Sequence, residues 1–396
     1  MACNRAVSLS VVLAGFTVCA PVAAHAQSIN FRQLAPAPVF RLAQSANAAA
    51  PAATPNAGSQ DPTPVAQPMP AGGGRVFNPD MSVIANFLAT TGKNPMNTAP
   101  SMSLNEVEVA LQAVVDPYAR ADFYLSATPE GLEVEEGYLT FTTLPGHFLM
   151  KVGKMRAQFG KVNTLHTHSL PYADRPLVSK NLVGGEEGMS DSGVSVSRLL
   201  ATPALFLEAT GEVYAGQTDV FQSAQRSKLA YVGRLRGYRD LTEGTNIDFG
   251  GSVAFGPTNV GAESNKTLYG VDVTFRYRPL RRAIYKRFQA RTELIWSRQD
   301  GPVTSALPQK AFGWYGLTEY QFARRWYIGG RYDRSGRTED ALSIDKGFSA
   351  FITMWPSEFS QIRGQYRHTS YAEGIKGNEF LVQFNFSIGA HGAHVF

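Results

Sequence analysis

The residues of this chain that could do chemistry are charged side chains repeating at every second position. In KTLYGVDVTFRY, from Lys266 to Tyr277, one alternation holds Tyr269, Val271, Val273, Phe275 and Tyr277. The other holds Lys266, Gly270, Asp272, Thr274 and Arg276, and only Leu268 breaks the pattern. Successive side chains of a strand point to opposite faces, so one face is apolar and the other polar. A tyrosine closes each end of the apolar face, as aromatic residues do at the two water interfaces of a membrane barrel. The chemistry of the polar face is electrostatic. Across the chain this parity collects Glu106, Glu108, Arg120, Asp122, Glu208 and Glu212 early, and Lys228, Arg234, Arg236, Arg276, Arg278, Arg287, Arg291, Arg331, Arg363 and Arg367 later. A basic residue facing lipid near the midplane costs about 2–4 kcal/mol. These charges are therefore expected to line a wet interior, with acidic and basic walls opposed and a mild preference for anions.

The long segment Gly160–Ser192 is the expected constriction loop, carrying Asp174, Arg175, Lys180, Glu186, Glu187 and Asp191. Long loops in compact domains are usually functional. It also carries His166-x-His168, half of a zinc site by donor chemistry, which Glu186, Glu187 or Asp191 would have to complete. The competing reading of the loop is packing against the rim or a neighbouring copy, and that of the histidines is ordinary hydrogen bonding. His368 with Ser370 is the one local pair reminiscent of nucleophilic catalysis, and His368 falls on the lipid parity. There is no nucleophile elbow, phosphate-binding loop or dinucleotide fingerprint, so no enzyme and no cofactor are expected. Basic residues on alternating strands of an exported protein are not a nucleic-acid surface.

The elements that must position these groups are strands. Sixteen candidates follow Met81: near 81–89, 104–115, 118–127, 132–142, 148–158, 193–199, 205–215, 228–236, 246–255, 266–277, 284–297, 311–323, 325–333, 348–354, 359–369 and 380–388. Phe148–Gln158 and Gly347–Trp355 alternate less cleanly, as a bulge would cause. Short turns such as Asp116-Pro117 and Leu144-Pro145-Gly146 alternate with long connections such as 216–227, 257–265, 299–308 and 334–347. An even strand count with alternating turn lengths is the pattern of a transmembrane antiparallel β-barrel.

The N-terminus fits export: Arg5, an apolar run from Ala6 to Phe16, and Ala24-His25-Ala26 as a cleavage site give a signal peptide over 1–26. Cys3 and Cys19 both lie within it, so the mature chain is expected to hold no thiol or disulfide. Residues 27–75 are rich in Ala, Pro, Gln and Asn and read as a disordered tether, leaving 76–396 for the barrel. After the signal no apolar run reaches the roughly 20 residues of a transmembrane helix, and alternation explains a mean hydropathy of −0.16. The net charge of +5 hides an asymmetry. Residues 76–215 hold nine Lys and Arg against fifteen Asp and Glu, and 216–396 hold twenty-four against sixteen.

Several motifs are similar to those of a known family. VDPYARADFYLS, VEEGYLTFTTLPG, KVGKMRAQFGKVNTLHTHSLPYADRPLV, NLVGGEEGMSDSG, RPLRRAIYKRFQARTELIWSR, EYQFARRWYIGGRYD and MWPSEFSQIRGQYR run from about Met81 to the C-terminus. Together they resemble the phosphate-selective porin O and P superfamily of outer-membrane porins, more closely a divergent branch sometimes labelled zinc-regulated or TonB-dependent receptors. KMRAQFGKVN and PSEFSQIRGQY are the more specific of them. The resemblance implies a bacterial outer-membrane barrel of about sixteen strands, often trimeric, that passes small solutes. A TonB-dependent receptor needs more strands than about 320 residues can supply at about 9–11 residues per strand plus loops. The expected partners are outer-membrane lipid, small hydrophilic solutes or anions, further copies in a homotrimer, and the barrel-assembly machinery acting through a C-terminal strand with Val395-Phe396 beyond it. The expectation is a passive diffusion porin. A substrate-specific or metal-linked uptake channel is the first alternative, followed by a barrel hydrolase and a structural or adhesion barrel.

Overall fold

A chain that alternates apolar and polar residues over many segments satisfies both faces, and leaves no sheet edge unpaired, by closing on itself. The computed structural model describes residues 79–389 apart from 98, 130, 260–263, 301–308, 339 and 341. It is a closed antiparallel barrel of sixteen strands. These are β1 (Asp80–Lys93), β2 (Met102–Asp116), β3 (Ala119–Thr128), β4 (Gly131–Leu144), β5 (Phe148–Arg156), β6 (Ser190–Leu200), β7 (Phe206–Tyr214) and β8 (Ala230–Thr242). The second half adds β9 (Thr245–Pro257), β10 (Asn265–Tyr277), β11 (Arg287–Gln299), β12 (Gln309–Ala323), β13 (Trp326–Gly336), β14 (Ile344–Ser357), β15 (Ser360–Ser370) and β16 (Lys376–Gly389). Each strand pairs with its chain neighbours, and β1 closes on β16 with Phe87 opposite Phe384.

Every expected strand has its counterpart in order, although β8 runs on to Thr242, past the expected Arg236. The expected signal peptide, tether and C-terminal Val395-Phe396 lie outside the described residues. The ambiguous β14 alternates cleanly, with Phe348 and Ile352 outward and Ser349, Phe351 and Thr353 inward. Turn chemistry sets the hairpins: Asp116 Oδ1 accepts from the Tyr118 and Ala119 N–H groups at 2.7 and 2.8 Å and closes the β2–β3 turn. The alternation of turn lengths has two exceptions, a short β3–β4 connection and a longer one between β10 and β11.

The outer surface is apolar. On β10, Tyr269 and Tyr277 stand outward, 52% and 45% exposed, while Asp272 faces inward at 1%. Such a continuous apolar exterior is stable against lipid rather than water. The interior is not simply polar. The connection between β5 and β6, residues 157–189, folds into the barrel. It carries two 3₁₀ turns, Val162–Thr164 and Thr167–Ser169, and a short helix, α1 (Leu177–Leu182). Phe159, Leu170, Tyr172, Val178 and Leu182 from this loop pack against inward-facing Tyr138, Leu268, Ile295, Tyr315, Leu317 and Phe351 of the wall. Each such apolar side chain contributes about 1.5–3 kcal/mol. Leu268, which broke the alternation of its strand, is buried in this inner core.

Candidate functional site

The loop is held by complementary charge on different sides of the barrel. On one side a β-bulge on β4 sets the geometry. Tyr124 pairs with Glu136 and Leu125 with Val134, so Glu135 is the extra residue. Two consecutive carboxylates, Glu135 and Glu136, are thereby buried on the lumen side next to Glu106 and Glu108 of β2. His166 of the loop meets them: its Nδ1 lies 2.8 Å from Glu108 Oε2 and 3.3 Å from Glu135 Oε2, and its Nε2 lies 3.4 Å from Glu136 Oε1. His168 Nδ1 lies 3.5 Å from Glu108 Oε2. Arg156, at the end of β5, pairs with Glu135 and Glu136. Burial alone would push the His166 imidazole down; the Glu108 and Glu136 carboxylates outweigh it and raise its pKa to about 10.

At β13 and β15 the polarity reverses. Asp174 Oδ2 lies 2.9 Å from Arg331 Nη2 on β13 and 3.0 Å from Arg367 Nη1 on β15. Gln365 donates to Asp174 and accepts from the Ala173 N–H at 2.8 Å. The Arg331 guanidinium also stacks 4.2 Å from the Tyr172 ring centroid and pairs with Asp333 at 2.7 Å. Burial would raise the Asp174 carboxyl, but Arg331 and Arg367 hold it well below the usual carboxylate range.

Between these two, the start of the loop lies against β9 and β11. Gly160 adopts φ +61°, donates to Ser252 Oγ at 3.1 Å and accepts from Arg234 at 2.6 Å. The N–H groups of Lys161 and Val162 donate to Glu293. Lys161 Nζ lies 3.6 Å from Asp248, and burial lowers its pKa to about 8 against the pull of that carboxylate. The Gln158 N–H donates to Glu212 on β7, the Leu177 N–H to Asp333 on β13, and Asn181 to Asp345 on β14. Asn385 of β16 donates to the His168 carbonyl at 3.4 Å. Asn163 staples the base of the loop, donating to the Ala157 and Met189 carbonyls and accepting from the Met189 N–H.

The residues expected to line the interior fall into groups. Glu106, Glu108 and Asp122 are buried on the acidic side, with Arg120 2.9 Å from Asp122. Arg331, Arg363 and Arg367 lie on the basic side, Arg363 donating to Thr353 and Gln383. Arg234 pairs with Asp272, and Arg236 and Arg276 with Asp248. Arg291 is buried, and Arg287 donates to the Ala283 carbonyl. Arg278 is a correction: it stands beyond β10 in the β10–β11 turn, exposed, its N–H donating to the Gly244 carbonyl at 2.7 Å. In the loop, Asp174 and Arg175 are buried, Arg175 donating to the Val162 and Leu165 carbonyls. Lys180 pairs with Glu186, and Glu186 and Glu187 are exposed.

The completion of the histidine pair is a second correction. Glu186 and Glu187 point elsewhere, and Asp191 accepts from the Gly216 and Gln217 N–H groups. Wall carboxylates approach the imidazoles instead: one ligand atom from each of Glu106, Glu108 and His168, and from each of Glu108, Glu135 and His166, lie within 4.8 Å of one another. Sequence reading missed Glu135, Glu136 and Arg156, and the adjacent carboxylates of VEEG were the available signal. His368 is half-buried, its Nδ1 2.8 Å from Asn378 Oδ1.

No family profile matches the chain. An uncharacterized protein of Aquifex aeolicus (strain VF5) is 32% identical over 343 residues, covering 76% of this chain and 71% of that protein. The chain belongs to the family of that protein. Its fold is similar to solved outer-membrane proteins. The loop L8 deletion mutant of OmpT of Vibrio cholerae has a TM-score of 0.55 at 10% identity, covering 78% of this chain and 99% of that one. OmpT folded in vitro, in a trimer form, gives 0.53 at 9% identity over 78% and 99%. The outer-membrane channel DcaP of Acinetobacter baumannii gives 0.54 at 13% identity over 78% and 96%. With its closed sixteen-stranded sheet and apolar exterior, the protein is an outer-membrane β-barrel.

Proposed function

We propose that this barrel is a water-filled channel for passive diffusion of small hydrophilic solutes or ions, as the porin O and P resemblance suggests, with a mild anion preference set by its lumenal arginines. One observation carries the reading: the β5–β6 loop crosses the lumen and is gripped by wall residues from β2 round to β15. Such a loop sets pore size and charge at a constriction. Anion preference is supported by Arg291, whose Nε and Nη1 have no hydrogen-bond partner among the described residues, and by partial neutralisation of the four wall carboxylates by His166 and Arg156. Assembly as a homotrimer is part of the proposal. Planar-bilayer recording tests it. Folded protein should conduct, and replacing residues 164–187 with a short Gly-Ser linker should raise single-channel conductance at least twofold. A silent wild-type protein would sink the channel reading, and equal conductance would sink the constriction. A salt-gradient reversal potential showing cation preference would overturn the charge assignment.

A second reading, metal-linked uptake, rests on the histidine and wall-carboxylate cluster. His nitrogen and carboxylate oxygen donors suit Zn²⁺ over harder cations. Zinc titration of wild type and of His166→Ala with His168→Ala decides it, and unchanged binding would end this reading.

A further inference from the structure

We propose that the outer face of β11–β14, at the end bearing the long loops, binds the phosphorylated headgroups of outer-leaflet glycolipid. The inference rests on the outer-membrane assignment and not on the pore being open.

One pattern repeats on four successive strands: an outward aromatic residue lies two positions from an outward cation, nearer the membrane interior. The pairs are Trp296 and Arg298, Phe312 and Lys310, Tyr332 and Arg334, and Phe348 and Lys346. The aromatic residues form an interfacial belt, with Trp296 and Phe312 centroids 5.1 Å apart and Trp314 and Tyr332 5.6 Å apart. The cations form a row just above it. Single basic residues at an interface extend to water without penalty. These are not single. Arg298 stands directly opposite Lys310 in the register, and Arg334 directly opposite Lys346. Like charges facing each other across strands repel and destabilise the sheet.

No ion pair of the four cations occurs among the described residues. The contrast with the lumen is sharp: there Arg331 has Asp174 and Asp333, Arg234 has Asp272, and Arg236 has Asp248. Residues 301–308, which join β11 to β12, carry no charge in the sequence. Arg298, Lys310 and Arg334 together line a groove of about 370 Å³ with Tyr269, Trp296 and Phe312. A facing row of cations above an aromatic floor fits an anionic headgroup whose acyl chains lie along the barrel. Guanidinium and ammonium groups supply charge-assisted hydrogen bonds to phosphate.

The test is native mass spectrometry of folded protein in non-ionic detergent, titrated with diphosphorylated lipid A and with its dephosphorylated form. Wild type should retain the phosphorylated lipid at least tenfold better than the R298Q/K310Q/R334Q/K346Q variant and than it retains the dephosphorylated lipid. A control removing four cations at the opposite end, R278Q/R281Q/R282Q/K286Q, should retain it as wild type does. Circular dichroism verifies that each barrel is folded. Equal retention by the first variant, or an equal loss in the control, overturns the proposal. So does displacement of the lipid by millimolar inorganic phosphate, which would indicate a free-anion site. A changed protomer count with unchanged lipid retention would assign the face to a subunit contact and likewise overturn it.

Discussion

Asp174 Oδ2 in the lumenal loop lies 2.9 Å from Arg331 Nη2 on β13, a contact between residues 157 positions apart in the chain. Arg331 is buried and keeps Asp333 as a second partner. Removing one member of a buried pair costs about 3–5 kcal/mol where it strands the other charge, and less here, because Arg331 keeps Asp333 and Arg367 keeps Glu379. Asp174→Ala is therefore expected to release this side of the loop and raise single-channel conductance. An unchanged conductance in the folded variant would argue that Asp174 is not a latch.

The same contact fixes a pH response. The Asp174 carboxyl is held well below its ordinary range by Arg331 and Arg367 despite burial. A carboxyl depressed in the folded state contributes stability above its unfolded pKa of about 3.9, and loses it as pH falls towards the folded value. This contact should hold through neutral and mildly acidic pH and weaken only below about pH 4. Hydrogen exchange of residues 172–176 at pH 7, 5 and 3 tests this, and release already at pH 5 would refute the assignment.

Gly160 is required by its surroundings. A Cβ there would lie 2.5 Å from Glu293 Oε1, and its φ is +61°. The left-handed region costs a side-chain-bearing residue about 1–2 kcal/mol. Gly160→Ala should speed amide exchange at residues 158–163 while leaving residues 172–176 protected. Uniform loosening of the whole loop would mean that the anchors are not independent.

Phe159 packs over Gly270, with ring atoms 3.1 Å from where a Cβ would sit. Phe159→Ala removes a large side chain from the inner core, a change worth about 3–5 kcal/mol. Trypsin should then cut after Lys161 or Lys180 with the barrel still closed. A variant as resistant as wild type would show that the apolar packing contributes little to docking.

The acidic wall should tune selectivity. Glu108→Gln with Glu135→Gln removes two carboxylates facing His166. The reversal potential in a salt gradient is expected to shift further towards anions. A shift towards cations would place the ion path elsewhere.

The barrel was legible because period two is imposed by backbone geometry and repeats in every strand. Arginine parity was legible because lipid excludes charge. What alternation could not show were departures from it. The bulge at Glu135 turns two neighbours to one face, so strict parity misassigns one of them. Leu268 breaks the alternation because Phe159, Leu170 and Tyr172 lie inside the barrel and make an apolar inward position favourable. Arg278 keeps the parity of β10 but lies past its end, and strand ends depend on turn geometry rather than on pattern. The partners of His166 come from β2 and β4, far from it in sequence, and no local spacing encodes them.

The anchoring of the loop also dictates an order of events in assembly. The Glu108 and Glu135 contacts use strands that precede the loop in the chain, whereas Arg331, Gln365, Arg367 and Asn385 follow it, the last of these 217 positions beyond His168. Such distant contacts form late because loop-closure entropy must first be met by intervening structure. The loop can therefore engage its first partners while the sheet is still open, but it reaches the last ones only after β13–β16 are in place. Complete seating of the loop is thus a built-in report that the barrel has closed.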